Sequence, residues 1–302
     1  MSSSTSSVAP AAATAAPTRS SLVVPALGAV YFIWGSTYLA MRVAVAGLPP
    51  FFMASTRFIL TGLVLLAILK ARGAAWPTRR EWLFSTPVGV LMFVLGNGTV
   101  AVAEQRISSG VAAVVCGTMP LWVGAMAPLF GEKATPREWL GLVLGFVGVA
   151  VLSLGGELRA HPFYAAILFV APVSWALGSL LARKLPLAKG LMSAATQMLT
   201  GGLVMGVVSL VAGERVPTAP PASAVVAWIY LAIFGSLVAY SAYTWLLRNT
   251  RPAVATSYSY VNPVIAVLLG AVLGSEQVGP EVIVAVALVV VATVLVVVRR
   301  AR

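Results

Sequence analysis

Trp34, Ser36 and Tyr38 interrupt an apolar run that begins at Leu22, and Trp175, Ser179 and Arg183 interrupt a second one. Indoles, phenols, hydroxyls and carboxamides set in apolar sequence can cradle a small polar molecule, but they do not by themselves break bonds. The other candidates are of the same kind: Asn97, Tyr240, Tyr243, Thr256, Tyr260 and Asn262. Residues for covalent chemistry are scarce. The chain has no Asp, one Cys (Cys116) and one His (His161), and its eight acids are all Glu. A metal site needs a cluster of His, Cys or carboxylate ligands, and a nucleophile needs a neighbouring base. The sequence offers neither pattern, and no G-x-x-x-x-G-K-[ST] to hold nucleotide phosphates. No cofactor is expected, and an enzyme, such as a membrane prenyl- or phosphotransferase, has little to build with. The chemistry on offer is recognition.

The elements that position these residues follow from composition. Of 302 residues, 60% are hydrophobic and 9% charged, against about a quarter charged in soluble domains. Such a chain is read as a polytopic membrane protein, with the lipid bilayer as its first partner. The net charge of +12 is spread between apolar stretches rather than gathered in a basic stripe, which argues against nucleic acid. Gly, Pro and charged residues cut the chain at 22–45, 51–71, 82–103, 107–130, 137–155, 162–183, 191–213, 223–247, 251–274 and 279–298. Each piece is near the ~20 residues a helix needs to cross hydrocarbon. Residues 1–21 are Ser/Ala/Thr-rich and read as a disordered cytoplasmic tail. The first apolar run is too long for a signal-peptide core of roughly 7–15 residues, so an uncleaved helix is expected.

With the N-terminus in the cytoplasm, fifteen Lys and Arg fall on the inner side and three (Arg106, Arg159 and Arg215) on the outer. The positive-inside rule then puts both termini in the cytoplasm of a bacterial inner membrane.

The polar decoration repeats. Trp175 follows Trp34 by 141 positions, Thr196 and Gln197 follow Thr56 and Arg57 by 140, Pro263 follows Pro120 by 143, and Glu276 follows Glu132 by 144. Five segments per half is an odd number, so the second half enters the membrane from the opposite side. The expected fold is an all-α integral membrane protein of ten transmembrane helices, arranged as two inverted five-helix repeats over 22–160 and 161–302. Inverted repeats are the frame of alternating-access transporters, with the substrate site near the midplane.

YFIWGSTY at 31–38, GNGTVAVAE at 96–104, SGVAAVV at 109–115 and LRNTRPAVATSYSYVNPVIAVLLG at 247–270 resemble EamA-type members of the drug/metabolite transporter superfamily, and most closely its YedA-like inner-membrane branch. The resemblance covers nearly the whole chain after residue 22. It implies export of small metabolites, with amino acids the first class, as in the YddG-type exporters of the same superfamily; drugs, sugars and other metabolites are the alternatives. A non-transporting membrane scaffold is a further alternative, but it would not need matched polar groups in its halves.

Polar side chains in spans face the bundle interior, where they find partners. Trp34, Ser36, Tyr38, Asn97, Trp175, Ser179, Tyr240, Tyr243, Thr256, Tyr260 and Asn262 are therefore expected to line a substrate cavity. Membrane-interface anchoring competes for Tyr38, close helix packing competes for Trp34, Trp175, Asn97, Tyr240, Tyr260 and most of all the serines, and for Asn262 the alternative is a hydrogen bond to backbone freed by the missing N–H of Pro263. Pro120 and Pro263 should each remove one backbone hydrogen bond and kink their helices at matching depths. Arg57, near the outer end of its segment, reads as an anchor that snorkels to the interface. Glu132 and Glu276 read as turn residues closing their segments. No acid lies at mid-span, so a facilitator is expected rather than a proton-coupled carrier; Glu104, at a segment edge, is the one residue that argues otherwise. G-x-x-x-G spacings at Gly141/Gly145, Gly202/Gly206 and Gly270/Gly274 allow close helix approach within a monomer or a homodimer.

Overall fold

The computed structural model describes residues 22–131, 136–154, 156–250, 254 and 257–297. The tail at 1–21, Glu132 and Thr256 lie outside that set. The described residues are helical, with no strand among them. In chain order the helices are α1 (Val23–Val45), α2 (Pro50–Ala71), α3 (Arg79–Gly89), α4 (Thr99–Ala103), α5 (Ser109–Cys116), α6 (Met119–Met126), α7 (Pro136–Leu152), the short α8 (Glu157–Ala160), α9 (Pro162–Ala182), α10 (Leu191–Val211), α11 (Ala222–Tyr230), α12 (Ala239–Asn249), α13 (Tyr258–Leu273) and α14 (Pro280–Val297). Two π-helical stretches fuse α3 to α4 over Val90–Gly98 and α11 to α12 over Leu231–Val238.

Local sequence sets the boundaries. Pro50 occupies the first turn of α2, where its missing N–H has no intrahelical partner to lose. Thr78 begins α3 with a reciprocal cap: its hydroxyl accepts from the Glu81 N–H at 3.2 Å, and the Glu81 carboxylate accepts from the Thr78 N–H at 2.7 Å. Gly73 turns the chain between α2 and α3 at φ 80°, a conformation that favours glycine.

Seven helical stretches are long and apolar enough to cross a membrane, and three shorter apolar helices, Trp139–Leu152, Tyr258–Leu273 and Pro280–Leu295, accompany them. Large apolar side chains point outward: Leu210 and Val211 are 81% and 84% exposed, and Leu63, Val272 and Ile283 are exposed as well. Arg57, Thr61, Ser174, Thr196, Gln197, Ser236 and Asn262 point inward and are buried. That pattern suits a surface facing lipid.

Helix pairings follow the sequence correspondence between the halves. α2 lies along α10, and α7 along α14. α1 packs on α13 and on the α11–α12 segment, while α9 packs on α6 and on the α3–α4 segment. The two π stretches also correspond, starting at 90 and 231, again 141 apart. Close approach along α2 and α10 uses the second G-x-x-x-G pair: a Cβ on Gly202 would meet Ile59 at 3.0 Å, and one on Gly206 would meet Ser55 at 2.9 Å. This glycine stripe packs within the chain.

One end of the bundle is sealed. A single apolar cluster gathers Val45, Leu48, Ile107, Leu158, Ala224, Leu231 and Val282 beneath the turns at 46–49 and 104–108 and at the short α8. Away from that end the packing divides into separate clusters around Phe58/Phe93, Val30/Leu246 and Leu65/Ala195.

Candidate functional site

A cavity of about 140 Å³ lies among α1, α2, the α3–α4 segment, α5, α6, α9, α10, the α11–α12 segment and α13. Met41, Val100 and Ala171 belong both to its wall and to the sealing cluster, so the cluster forms its roof. Of the expected cavity residues and prolines, Trp34, Tyr38, Asn97, Trp175, Tyr240, Asn262 and Pro263 line it.

The π stretches build much of the wall. Each widens its helix by an extra residue per turn, which displaces the backbone and offers carbonyls to side chains. Trp34 donates its indole N–H to the Gly235 carbonyl in the second stretch, at 3.1 Å. Trp175 lies against Gly96 in the first, where an added Cβ would sit 2.8 Å from its ring. Asn97 turns its amide back onto the Met92 carbonyl, five residues earlier, at 3.4 Å. Around Trp34 stand Tyr240, Tyr243 and Tyr258, with ring centroids at 6.0, 5.2 and 4.7 Å. Two edge-to-face contacts, with Tyr240 and Tyr258, and one tilted contact, with Tyr243, hold the indole in place. With its amide oriented to satisfy both partners, Asn262 donates to the Tyr31 and Tyr258 carbonyls at 3.2 Å each, tying α13 to α1.

Several expectations need correction. Ser36 is not on the cavity wall: its hydroxyl donates to the Ile33 carbonyl at 2.8 Å and shares a 2.6 Å bond with the Tyr230 hydroxyl. Ser179 also lies off the wall, donating to the Trp175 carbonyl one turn earlier at 2.8 Å. Tyr243 stands behind Trp34 as a second layer. Tyr260 gives way to Tyr258 and Ser259, which do line the cavity. Residues two apart cannot share a helix face, so Asn262 brings Tyr258 with it and excludes Tyr260. The prolines are not equivalent. Pro120 starts α6 after a break at Gly117–Thr118, whereas Pro263 lies inside a continuous α13. Gly117 backs directly onto Pro263, with room for no side chain.

Arg57 is the largest revision. It is 5% exposed and on the cavity wall, not at an interface. Its Nε donates to the Ser236 hydroxyl at 2.9 Å, and its guanidinium carbon sits 4.7 Å from the centre of the Phe58 ring. Nη1 is buried with no partner among the described residues. No carboxylate lines the cavity among the described residues, so a wall expected to be neutral carries one uncompensated cation. Arg57 and Thr61, one turn apart, are both buried on the same face of α2.

A second polar group sits beside the roof. Glu276 accepts from the Ser109 N–H and hydroxyl at 2.8 Å each and from the Gly110 N–H at 3.1 Å, and it pairs with Arg42 at 3.4 Å. From the second half it thereby holds both the N-terminus of α5 and α1 of the first half, a role its reading as a turn residue missed. Glu104 is nearby, 2% exposed, with neither carboxylate oxygen partnered among the described residues. Burial, then the Glu276 charge, pushes its carboxyl well above the ordinary range, with Arg42 opposing.

Comparison with known proteins fits this geometry. Residues 23–154 and 162–298 match the EamA-like transporter family. The chain is 44% identical over 272 residues to the inner membrane transporter YedA of Escherichia coli (strain K12), covering 90% of this chain and 89% of that protein. It is 26% identical over 242 residues to Protein PecM of Dickeya dadantii (strain 3937), covering 79% and 80%. A solved crystal structure, 23% identical, superposes over 92% of this chain and 98% of that one with a TM-score of 0.63, and shares the fold.

Proposed function

The chain belongs to the EamA-like transporter family, and from that premise we propose that it exports small metabolites, amino acids first, by alternating access without ATP. One observation carries the reading. The central cavity is walled by matched tryptophans, Trp34 and Trp175, each seated on a glycine in a π stretch of the other half. A packing scaffold has no need of a cavity, aromatic-lined with a few polar groups, at the meeting of two corresponding halves. A transporter needs one there.

In this reading the seven long and three shorter apolar helices form ten spans in two inverted sets of five, with both termini cytoplasmic. On the same reading the sealed end, which carries Arg106, Arg159 and Arg215, is the periplasmic one. Rocking of the halves opens the roof and closes the opposite end. The lack of an acid on the wall among the described residues supports a facilitator over obligatory proton coupling.

The test is flux. Protein reconstituted in liposomes should move amino acids down an imposed gradient without nucleotide and without a pH difference. Flux that needs a proton gradient rejects the facilitator. Flux of sugars or cationic dyes, with none of amino acids, rejects the substrate class.

A further inference from the structure

We infer that Arg57 is a carboxylate-binding subsite, and that the transported molecules carry a single carboxylate which completes the guanidinium's pairing inside the cavity. The inference deepens the proposed transport function and rests on it for its physiological meaning.

The argument is one of unmet charge. A buried guanidinium is costly unless it is paired and hydrogen-bonded. Arg57 has five donors, yet among the described residues it gives one bond, from Nε to Ser236, and makes one ring contact, with Phe58. Nη1 is buried without a partner, and no acid shares the cavity wall among the described residues. The planar fork of an arginine fits a carboxylate bidentately, and such pairs are the stronger class of hydrogen bond. Among the described residues, then, this cation has no counter-ion, and a bound anion would supply one.

The charge of that counter-ion is bounded. Arg57 is the single charged residue lining the cavity among the described residues, which favours a monoanion over a dicarboxylate or a doubly ionised phosphate. Its position in the other half is taken by Gln197, which is buried and donates to the Ser193 hydroxyl at 2.7 Å. The charge is thus present in one half alone and orients a bound molecule, with its carboxylate toward α2 and Ser236. The faces of Trp34, Tyr240 and Tyr258 remain for an ammonium or an apolar side chain.

The substitution that tests this is Arg57→Gln, which installs the residue of the other half; Arg57→Lys keeps the charge but loses the fork. Two readouts are taken on folded, purified protein. One is liposome flux for neutral L-amino acids and for their carboxamides, which lack the carboxylate. The other is the ligand-induced shift in melting temperature for the same compounds. Wild-type protein should prefer the acid to its amide by at least tenfold in both. Arg57→Gln should erase that preference, and Arg57→Lys should retain part of it. Amides moved and bound as well as acids, or an Arg57→Gln variant with the wild-type preference, overturns the subsite and leaves transport standing. Carboxylate-specific stabilisation without flux of any compound overturns transport and leaves the subsite standing. Neither stabilisation nor flux overturns both.

Discussion

Trp34 donates its indole N–H to the carbonyl of Gly235 at 3.1 Å, joining α1 of the first half to the π stretch of the second. Two features make the bond possible. The π stretch displaces the backbone of Leu231–Val238, and glycine lets side chains come close: a Cβ at Gly235 would meet Thr37 at 3.0 Å. Trp175 has the corresponding place against Gly96. Both tryptophans thus serve the wall and the junction between halves at once.

Trp34→Phe should therefore keep most of the ring packing and lose one hydrogen bond, a cost of about 1 kcal/mol, while substrate flux falls. Trp34→Ala should cost more, because three tyrosine rings lose their shared partner. Trp175→Ala should lower flux comparably. Melting temperature and liposome flux measured side by side check this. Wild-type flux in all three variants would make the tryptophans packing residues only.

The sequence made the membrane class and the paired halves legible because both are written in periodic, one-dimensional signals: apolar length, cation placement and a near-constant offset. Trp34, Trp175, Asn97 and Tyr240 followed from that offset or from polarity at depth. Ser36 and Ser179 did not land on the wall, since a hydroxyl in a helix can satisfy itself on the carbonyl a turn earlier. Arg57 was misread because depth along a helix does not reveal the face, and the face was set by Ser236 in a distant segment. The π stretches had no readable signal: a single extra residue per turn leaves apolar composition unchanged.

Orientation is open to a direct test. Reporter fusions after Arg72, Ala160, Gly213 and Arg302 should read cytoplasm, periplasm, periplasm and cytoplasm, as the charge asymmetry of the loops requires. A periplasmic signal at Arg302 would mean an odd number of crossings and would defeat the inverted arrangement.

Glu276 should act as a latch on the sealed end. It holds three donors of Ser109 and Gly110 and faces Arg42, so it links α1 to the start of α5. Glu276→Ala should loosen that end and shift the population toward the state open there. Cys116 is the single cysteine of the chain and lies on the cavity wall, so it reports access without further engineering. Labelling of Cys116 by an impermeant thiol reagent from the periplasmic side should rise several-fold in Glu276→Ala. An unchanged rate, with protein folded as in wild type, would reject the latch.

Glu104 should make the sealed packing pH-sensitive. Its carboxyl is buried without a hydrogen-bond partner among the described residues, and burial together with the nearby Glu276 holds it protonated well above the ordinary carboxylate range, against the pull of Arg42. Arg106 and Tyr164 line the same recess beside it. A folded-state pKa raised above the unfolded value, about 4.3 for Glu, means that the folded protein keeps the proton the unfolded chain gives up. The contribution to stability is then fully present below the unfolded pKa and is lost as pH rises toward the folded one. Detergent-purified wild-type protein should therefore melt at progressively lower temperature as pH is raised from 5 upward. Glu104→Gln has no proton to lose, so it should flatten that part of the slope and match or exceed the wild-type melting temperature at the alkaline end. Parallel slopes in the two proteins would show that Glu104 is already ionised in the sealed state.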